Sequence, residues 1–241
     1  MASAENAFAV SLFRDLPGRY DSLAEVLSLG QNSRWRAELV DHIAAARPGR
    51  VLDVATGTAG VALAIASRTD ASVAGLDVSD EMLAVGRRRV AAVGLDSRIS
   101  LQAGRAEEVP FGAASFDAVS FTYLLRYVGD PAAVIAGLAS TLRPGGVMAS
   151  LDFYVPPHPV WRGLWWCYTR LVLPVAGFVL GGRAWWEVGR FLGPSISTHY
   201  RRLPLARIVE LWQAAGMAGV EYRVMSAGGG LVMWGTKARD A

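Results

Sequence analysis

The sequence predicts an α/β fold, built on a doubly wound, mostly parallel sheet that ends in an antiparallel hairpin. Three observations predict it. Short apolar segments alternate with helix-forming segments between residues 50 and 153. Two of these apolar segments end in an acid, Asp53 and Asp77, and a small-residue turn follows the first. The last two apolar segments are joined only by the glycine-rich turn 226–230, as in a hairpin.

Residues 1–48 are expected to form an N-terminal helical cap, because Trp35, Leu39 and Ile43 recur at helical spacing. The cofactor-binding core is assigned to residues 49–153. Its strands are predicted at 50–54, 72–77, 98–102, 116–121 and 147–153, and its helices at 60–68, 80–92 and 131–142. Such an order predicts right-handed crossovers between parallel strands.

Residues 154–202 interrupt this alternation and are rich in tryptophan. Amphipathic rings beside aliphatic residues suit a lipid-like tail or a membrane interface, so we expect this segment to handle the substrate. The alternative is a helical subdomain that packs its tryptophans inward. Residues 203–241 complete a single predicted domain, with a helix from Leu205 to Ala215 and strands at 220–225 and 231–236.

Composition excludes several classes of function. The net charge of +3 is small and the basic residues are scattered, so no nucleic-acid partner is expected. The single cysteine, Cys167, excludes an internal disulfide, and no metal-ligand spacing is present. The N-terminus lacks the features of a signal peptide, and Arg170 and Pro174 interrupt the longest apolar region, 163–181. A cytoplasmic location is therefore expected, and an oligomer is left open.

A five-strand parallel sheet closed by a hairpin is the architecture of class I S-adenosylmethionine-dependent methyltransferases, whereas a nicotinamide dehydrogenase continues with further parallel strands. In this architecture Asp53 is placed to accept from the amino-acid end of the cofactor. Gly57 removes the Cβ that would collide with it. Asp77 is placed for the ribose hydroxyls, since Ser79 already provides the N-cap of the following helix.

Several motifs make the resemblance more specific. They are LDVATGTAG (52–60), GLDVSDEML (75–83), AEEVPFGAASFDAV (106–119), LLRYVGD (124–130) and LRPGG (142–146). Together they resemble the UbiE-type ubiquinone/menaquinone C-methyltransferase family. Residues 20–36, which begin Tyr-Asp and end Trp-Arg, are similar to that family's N-terminal stretch. The resemblance covers most of the chain.

The resemblance implies S-adenosylmethionine as cofactor. The residues it implies as ligands are Asp53, Gly57, Thr58, Asp77 and Met82, with Ala106 and Glu107 beside the adenine. For Met82 a role in the helix core is an equal alternative.

Three positions depart from the family pattern. Ala59 replaces a third glycine, which is tolerable if φ stays negative. Arg105 replaces an acid that accepts from the adenine amino group; because Arg has no acceptor, that contact is either lost or taken over by Glu107. Tyr127 replaces the usual Asn after Arg126. The adenine end and the substrate wall are therefore expected to differ from the family.

Arg126, His199 and Tyr20 are the candidate catalytic residues. Arg126 matches a family position at the substrate, where a guanidinium would stabilise a phenolate; a surface salt bridge is the alternative. Tyr20 would close over the cofactor, or lie in the core. His199 is a candidate base, as are His158 and Asp152, although loop histidines are commonly only polar surface.

The sequence therefore predicts a methyltransferase that acts on a hydrophobic small molecule. The first candidate reaction is C-methylation of a demethylmenaquinol-like or other phenolic ring. O- or N-methylation of a natural product or a phospholipid amine is the alternative within the class. A non-catalytic cofactor-binding scaffold in a membrane-associated complex is the alternative outside it. Peripheral contact with the inner face of the membrane is a further expectation.

Overall fold

The computed structural model describes residues 20–239, without the side chains of Tyr20 and Asp21. Helix α1 spans Tyr20–Leu27 and helix α2 spans Gln31–Ala45. Between them Leu29 and Gly30 both adopt left-handed backbone, with φ of 55° and 75°, which ends the first helix. The predicted helical cap therefore consists of two helices from residue 20 onward. Residues 1–19 of the cap lie outside the described part of the structure.

The central sheet has seven strands in the order β3-β2-β1-β4-β5-β7-β6. The first five strands in the chain pair in parallel, and β7 pairs antiparallel with both β5 and β6. The predicted fold class is confirmed. The strands are β1 (Arg50–Val54), β2 (Ser72–Asp77), β3 (Ile99–Ala103), β4 (Phe116–Thr122), β5 (Leu142–Phe153), β6 (Met217–Met225) and β7 (Gly230–Lys237). The helices between them are α3 (Gly60–Arg68), α4 (Asp80–Ala92), α5 (Pro131–Thr141) and, further on, α9 (Leu205–Ala214).

The main difference from the predicted elements is at β5. It begins at Leu142 rather than at the predicted residue 147, so the Leu142–Gly146 segment lies within the strand. Leu142 pairs with Phe116, and the register then shifts before Val147 pairs with Ala118. The glycines and the proline are absorbed by this bulge, which is where sheets tolerate them.

Both faces of the sheet are covered. Leu52 and Val54 of β1 join a buried cluster on one face, which includes Trp212 of α9, while Val51 joins the cluster on the other face, beneath α2 and α3. Alternate side chains of a strand point to opposite faces, so a strand with both faces buried is apolar at nearly every position. This explains why β1 appears in the sequence as an unbroken apolar segment.

Residues 159–202 form a helical insertion. Helix α6 (Pro159–Cys167) continues through a π-helical turn (Tyr168–Val172) into α7 (Leu173–Gly181), and α8 (Arg183–Arg202) folds back against it. A third buried cluster joins α7 and α8 to α1. Of the described helices, Pro159–Gly181 is the one long and apolar enough to span a membrane by length and composition, although the sequence had argued against such a segment.

Candidate active site

A cavity of about 380 Å³ lies at the carboxyl ends of β1, β2 and β4, where a doubly wound sheet binds its ligands. One end is polar and is formed by the turn after β1, the end of β2, and Gly104, Ala106 and Glu107. The other end is apolar. Its walls come from α1, α2 and the helical insertion, and they include Leu27, Trp165, Leu173, Trp185, Val188, Leu192 and Ile196.

The turn after β1 is shaped by left-handed backbone at alternate residues. Ala55, Gly57 and Ala59 have φ of 56°, 54° and 62°. Gly57 lines the cavity, and a side chain there would have to adopt this strained region. The expectation that Ala59 keeps a negative φ is wrong: it caps α3 in the left-handed conformation, fully buried. Packing against the core therefore holds a strained alanine where only glycine is free of strain.

Asp77, at the end of β2, is hydrogen-bonded to the glycine turn that follows β1. Its Oδ2 accepts the backbone N–H of Gly57 at 2.7 Å and its Oδ1 accepts that of Ser79 at 2.9 Å. Burial raises the pKa of Asp77, and the backbone N–H donors oppose that rise. The carboxylate has more lone pairs than the backbone N–H groups that donate to it, so it remains able to accept a ribose hydroxyl from the cavity that Asp77 lines.

Asp53 occupies a different environment from the one predicted. It is 1% exposed and is not among the residues that line the cavity. Its two oxygens accept the hydroxyls of Thr56, at 2.6 Å, and Ser120, at 2.7 Å. Burial raises its pKa from 3.8 to about 6. The structure therefore places Asp53 beneath the turn and outside the cavity lining, where its carboxylate holds the Thr56 hydroxyl.

Thr58 and Met82 both line the cavity and are both buried. The carbonyl and the hydroxyl of Thr58 each accept from Arg89 Nη1 at 2.9 Å, which fixes the turn to α4. The Ser79 hydroxyl accepts the N–H of Met82 at 3.2 Å, so the predicted N-cap of α4 is confirmed. The cap holds Met82 at the cavity wall.

The sequence assigns Ala106 and Glu107 to the adenine end of the site. Both residues line the cavity. Arg105 is not among the lining residues; its Nη2 instead lies 3.2 Å from Glu107 Oε1. The carboxylate is thus held by an arginine on one side and borders the cavity on the other. That Glu107 substitutes for the acid missing at position 105 stays a prediction.

Arg126 lies on a single 3₁₀ turn (Leu125–Tyr127) after β4, and its side chain is 1% exposed. Its Nε donates to Asp152 Oδ1 at 3.2 Å, and the guanidinium lies over the rings of Tyr127 and Phe153, 5.0 and 5.5 Å from their centroids. Its Nη1 is buried with no hydrogen-bond partner among residues 20–239. Arg126 thus forms an ion pair, but not the surface salt bridge considered as the alternative: the pair is buried at the cavity wall and leaves a charged donor unsatisfied.

Asp152 contacts Arg126, but none of Asp152, His199 and His158 is among the residues that line the main cavity. His199, on α8, borders a separate cavity of about 20 Å³ together with Asp152 and Tyr200. Burial lowers the pKa of His199, which keeps the imidazole neutral. His158 is the residue that precedes the first turn of α6. Tyr20 begins α1, and its side chain lies outside the described part of the structure.

Two polar contacts at the cavity wall join segments that are distant in the sequence. Tyr123 has a left-handed φ of 55° and donates its hydroxyl to Asn32 Oδ1 at 2.7 Å. Trp35 donates Nε1 to Ser226 Oγ at 2.8 Å, which joins α2 to the hairpin turn. These pairs are 91 and 191 residues apart in the chain, so no local pattern indicates them.

Comparison with known proteins identifies the family. The model of the ubiE/COQ5 methyltransferase family matches residues 1–237. The chain is similar to a ubiquinone/menaquinone biosynthesis C-methyltransferase UbiE of Geotalea daltonii, with 40% identity over 69% of this chain and 72% of that protein. It is also similar to the demethylmenaquinone methyltransferase of Thermus thermophilus, with 33% identity over 90% of this chain and 96% of that protein.

Solved structures confirm the architecture. Phosphoethanolamine N-methyltransferase 2 of Haemonchus contortus, in complex with S-adenosylmethionine, matches with a TM-score of 0.57 at 18% identity, over 78% of this chain and 48% of that one. The YcgJ protein of Bacillus subtilis matches with a TM-score of 0.54 at 19% identity, over 86% and 99% of the two chains. At such identities the likeness establishes the fold alone. The chain belongs to the ubiE/COQ5 methyltransferase family, and it is an S-adenosylmethionine-dependent enzyme with the class I methyltransferase fold.

Proposed function

We propose that this enzyme methylates a ring carbon of a demethylmenaquinol-like substrate, a hydroquinone with an apolar tail. The observation that carries the proposal is the buried Nη1 of Arg126, an unsatisfied cationic donor in the wall between the polar and apolar ends of the cavity. The names of the relatives that cover most of this chain support the same substrate class.

The polar end fits S-adenosylmethionine. Asp77 offers acceptors for the ribose, Gly57 removes a side chain from the turn, and Glu107 offers an acceptor for the adenine amino group. We propose Thr58, Met82 and Ala106 as the remaining contacts, and Asp53 as a positioning residue beneath the turn. When bound, the cofactor supplies an electrophilic methyl group.

The chain's own contribution is to make a ring carbon nucleophilic. A phenol attacks weakly through carbon, whereas its phenolate pushes electron density into the ring. A donor from Arg126 to the phenolate oxygen favours the ionised form, because an opposite charge in a buried site lowers the pKa of the phenol. The ring carbon then forms a bond to the methyl group as the sulfur–methyl bond breaks, and the ring proton is released to water.

The charge of the cavity distinguishes this substrate from an amine. The two acids in its described lining, Asp77 and Glu107, both lie at the cofactor end, while Arg126 lies towards the substrate. Arg36 also lines the cavity, and Asp152, which pairs with Arg126, is not among the lining residues. A cationic amine would therefore meet two arginines and no lining carboxylate outside the cofactor end. The lining described between residues 24 and 229 also contains no histidine, which agrees with proton release to water.

The apolar end fits a prenyl-like tail. Leu173, Trp185, Val188, Leu192 and Ile196 face one another across it. Burying such a tail releases roughly 25 cal/mol per Å² of apolar surface. We propose that the enzyme works in the cytoplasm at the inner face of the membrane, where such tails partition.

The test is incubation of the purified enzyme with isotope-labelled cofactor and three substrates: a demethylmenaquinol analogue, the same ring with both hydroxyls blocked as ethers, and a phospholipid amine. We expect one labelled methyl group on the free hydroquinol, bound to ring carbon by fragmentation mass spectrometry. Label on oxygen, or transfer only to the amine, would contradict the proposal.

A further inference from the structure

The outer surface of the helical insertion is unusually apolar. Between residues 160 and 180, ten large apolar side chains are exposed: Val160, Trp161, Leu164, Trp166, Leu171, Val172, Val175, Phe178, Val179 and Leu180. Six others are exposed in the rest of the described chain. We call these ten residues the apolar face. A patch of this density on a soluble domain is a site of interaction rather than ordinary surface.

Behind the apolar face, α8 approaches the π turn and α7 closely at three glycines. Gly189 and Gly193 of α8 lie so close to the π turn and α7 that an added Cβ would be 2.7 Å from Pro174 Cα and from Thr169 Oγ1, respectively. A Cβ at Gly177 would be 2.7 Å from the Trp185 carbonyl oxygen. Close approach through glycines, with the large side chains outside, is how helices pack in lipid and is the reverse of a water-soluble helix pair.

Charge and aromatic content agree with an anionic partner. No acid occurs between Asp152 and Glu187, a stretch that contains Arg162, Arg170 and Arg183. The Arg170 guanidinium lies over the ring of Trp166, 5.2 Å from its centroid. A cation is therefore in contact with one of the exposed aromatic rings of the apolar face. Tryptophan beside arginine is favoured at the boundary between acyl chains and head groups.

We propose that the apolar face binds the surface of an anionic lipid bilayer, with the α6–α7 segment lying in the plane of the interface. The inner side of this segment is attached to the domain, because the Tyr168 hydroxyl donates to the Leu27 carbonyl and Leu173 packs in the cluster with Trp185. Crossing the bilayer would require all of these contacts to break.

The same segment forms part of the active-site wall. Trp165, Tyr168, Thr169 and Leu173 line the cavity on the side opposite the apolar face. An apolar substrate therefore passes from the acyl layer into the cavity across a single layer of side chains. This entry route rests on the proposed function, whereas the binding of lipid does not.

The test is flotation with vesicles of phosphatidylcholine alone or with phosphatidylglycerol added, with no methyl acceptor present. The face variant carries Leu164→Ser, Leu171→Ser and Val179→Ser, at positions that are 56%, 57% and 75% exposed. The matched control carries Val93→Ser, Tyr222→Ser and Val224→Ser, exposed apolar residues elsewhere. Cofactor affinity, measured by calorimetry, checks that each variant remains folded.

We expect the wild-type protein and the control to float with the anionic vesicles, and the face variant to lose about tenfold or more of that binding. Cofactor affinity should be equal in all three. Failure of the wild-type protein to float, or equal flotation of the face variant, would overturn the proposal. So would a dimer of the wild-type protein that the face variant converts to a monomer, because a second copy would then cover the face. None of these outcomes depends on which molecule is methylated.

Discussion

The carboxylate of Asp77 accepts the backbone N–H of Gly57 at 2.7 Å, so the acid that ends β2 holds the glycine turn that follows β1. The two residues are 20 positions apart, and parallel pairing of β1 with β2 brings them together. One carboxylate thus shapes the turn and also offers its remaining lone pairs to the cavity. This dual role makes Asp77 the most sensitive position of the proposed cofactor site.

Replacing Asp77 with asparagine should weaken the binding of S-adenosylmethionine by about ten- to a hundredfold. The amide keeps one acceptor but turns a donor toward a backbone N–H, and a charge-assisted hydrogen bond contributes about 1.5–3 kcal/mol. Isothermal calorimetry measures the change, and Asp96→Asn, at an exposed loop position, is the control. Unchanged affinity in both variants would exclude Asp77 from the cofactor site.

Arg126→Lys should lower turnover about a hundredfold while cofactor affinity stays within about threefold of wild type. Lysine keeps the charge but loses the planar fork that reaches Asp152 and the cavity together. Single-turnover rates and calorimetry separate the two effects. Arg143→Lys, in the more exposed pair with Asp117, is the control. Equal losses of rate and cofactor affinity would show that Arg126 only supports the fold.

Asp53 predicts a specific pH dependence of stability. Its pKa is raised by burial from 3.8 to about 6, so the folded state binds its proton more tightly than the unfolded state. The stability this contributes is complete below the unfolded pKa and is lost as pH rises through the folded pKa, by about 3 kcal/mol.

Asp53→Asn removes this titration. In urea unfolding, the free energy of unfolding of the variant relative to wild type should therefore increase by about 2–3 kcal/mol between about pH 4 and pH 7. Parallel stability curves for the two proteins would contradict the buried, protonated carboxyl.

Gly189→Ala should destabilise the protein by about 1–3 kcal/mol, because the new Cβ would be 2.7 Å from Pro174 Cα, a backbone atom. Gly163→Ala is the matched control: it lies within α6, has no atom within 4 Å of an added Cβ, and should be neutral or stabilising by up to about 1 kcal/mol. Urea unfolding measures both. A tolerated alanine at 189 would show that α7 and α8 are not tightly packed.

Local patterns predicted the supporting framework well. The apolar segments that became β1 and β2, the Ser79 cap of α4 and the hairpin turn depend on neighbours within a few residues, so their sequences contain the needed information. The start of β5 was missed, because Leu142–Gly146 has the composition of a turn. Pairing with β4, decided by partners distant in sequence, drew it into the sheet.

The sequence by itself determined the class of fold and the cofactor turn, because strand, turn and helix follow from the order of apolar and small residues. Only the tertiary structure decided which acid faces the cavity. Asp53 and Asp77 both end strands, yet hydroxyls from Thr56 and Ser120 surround the first and the cavity borders the second. It also decided that Arg126 keeps a buried donor unsatisfied and that the apolar side chains of the helical insertion face outward. Burial and hydrogen-bond partners are set by residues far apart in the chain, so periodicity alone does not contain them.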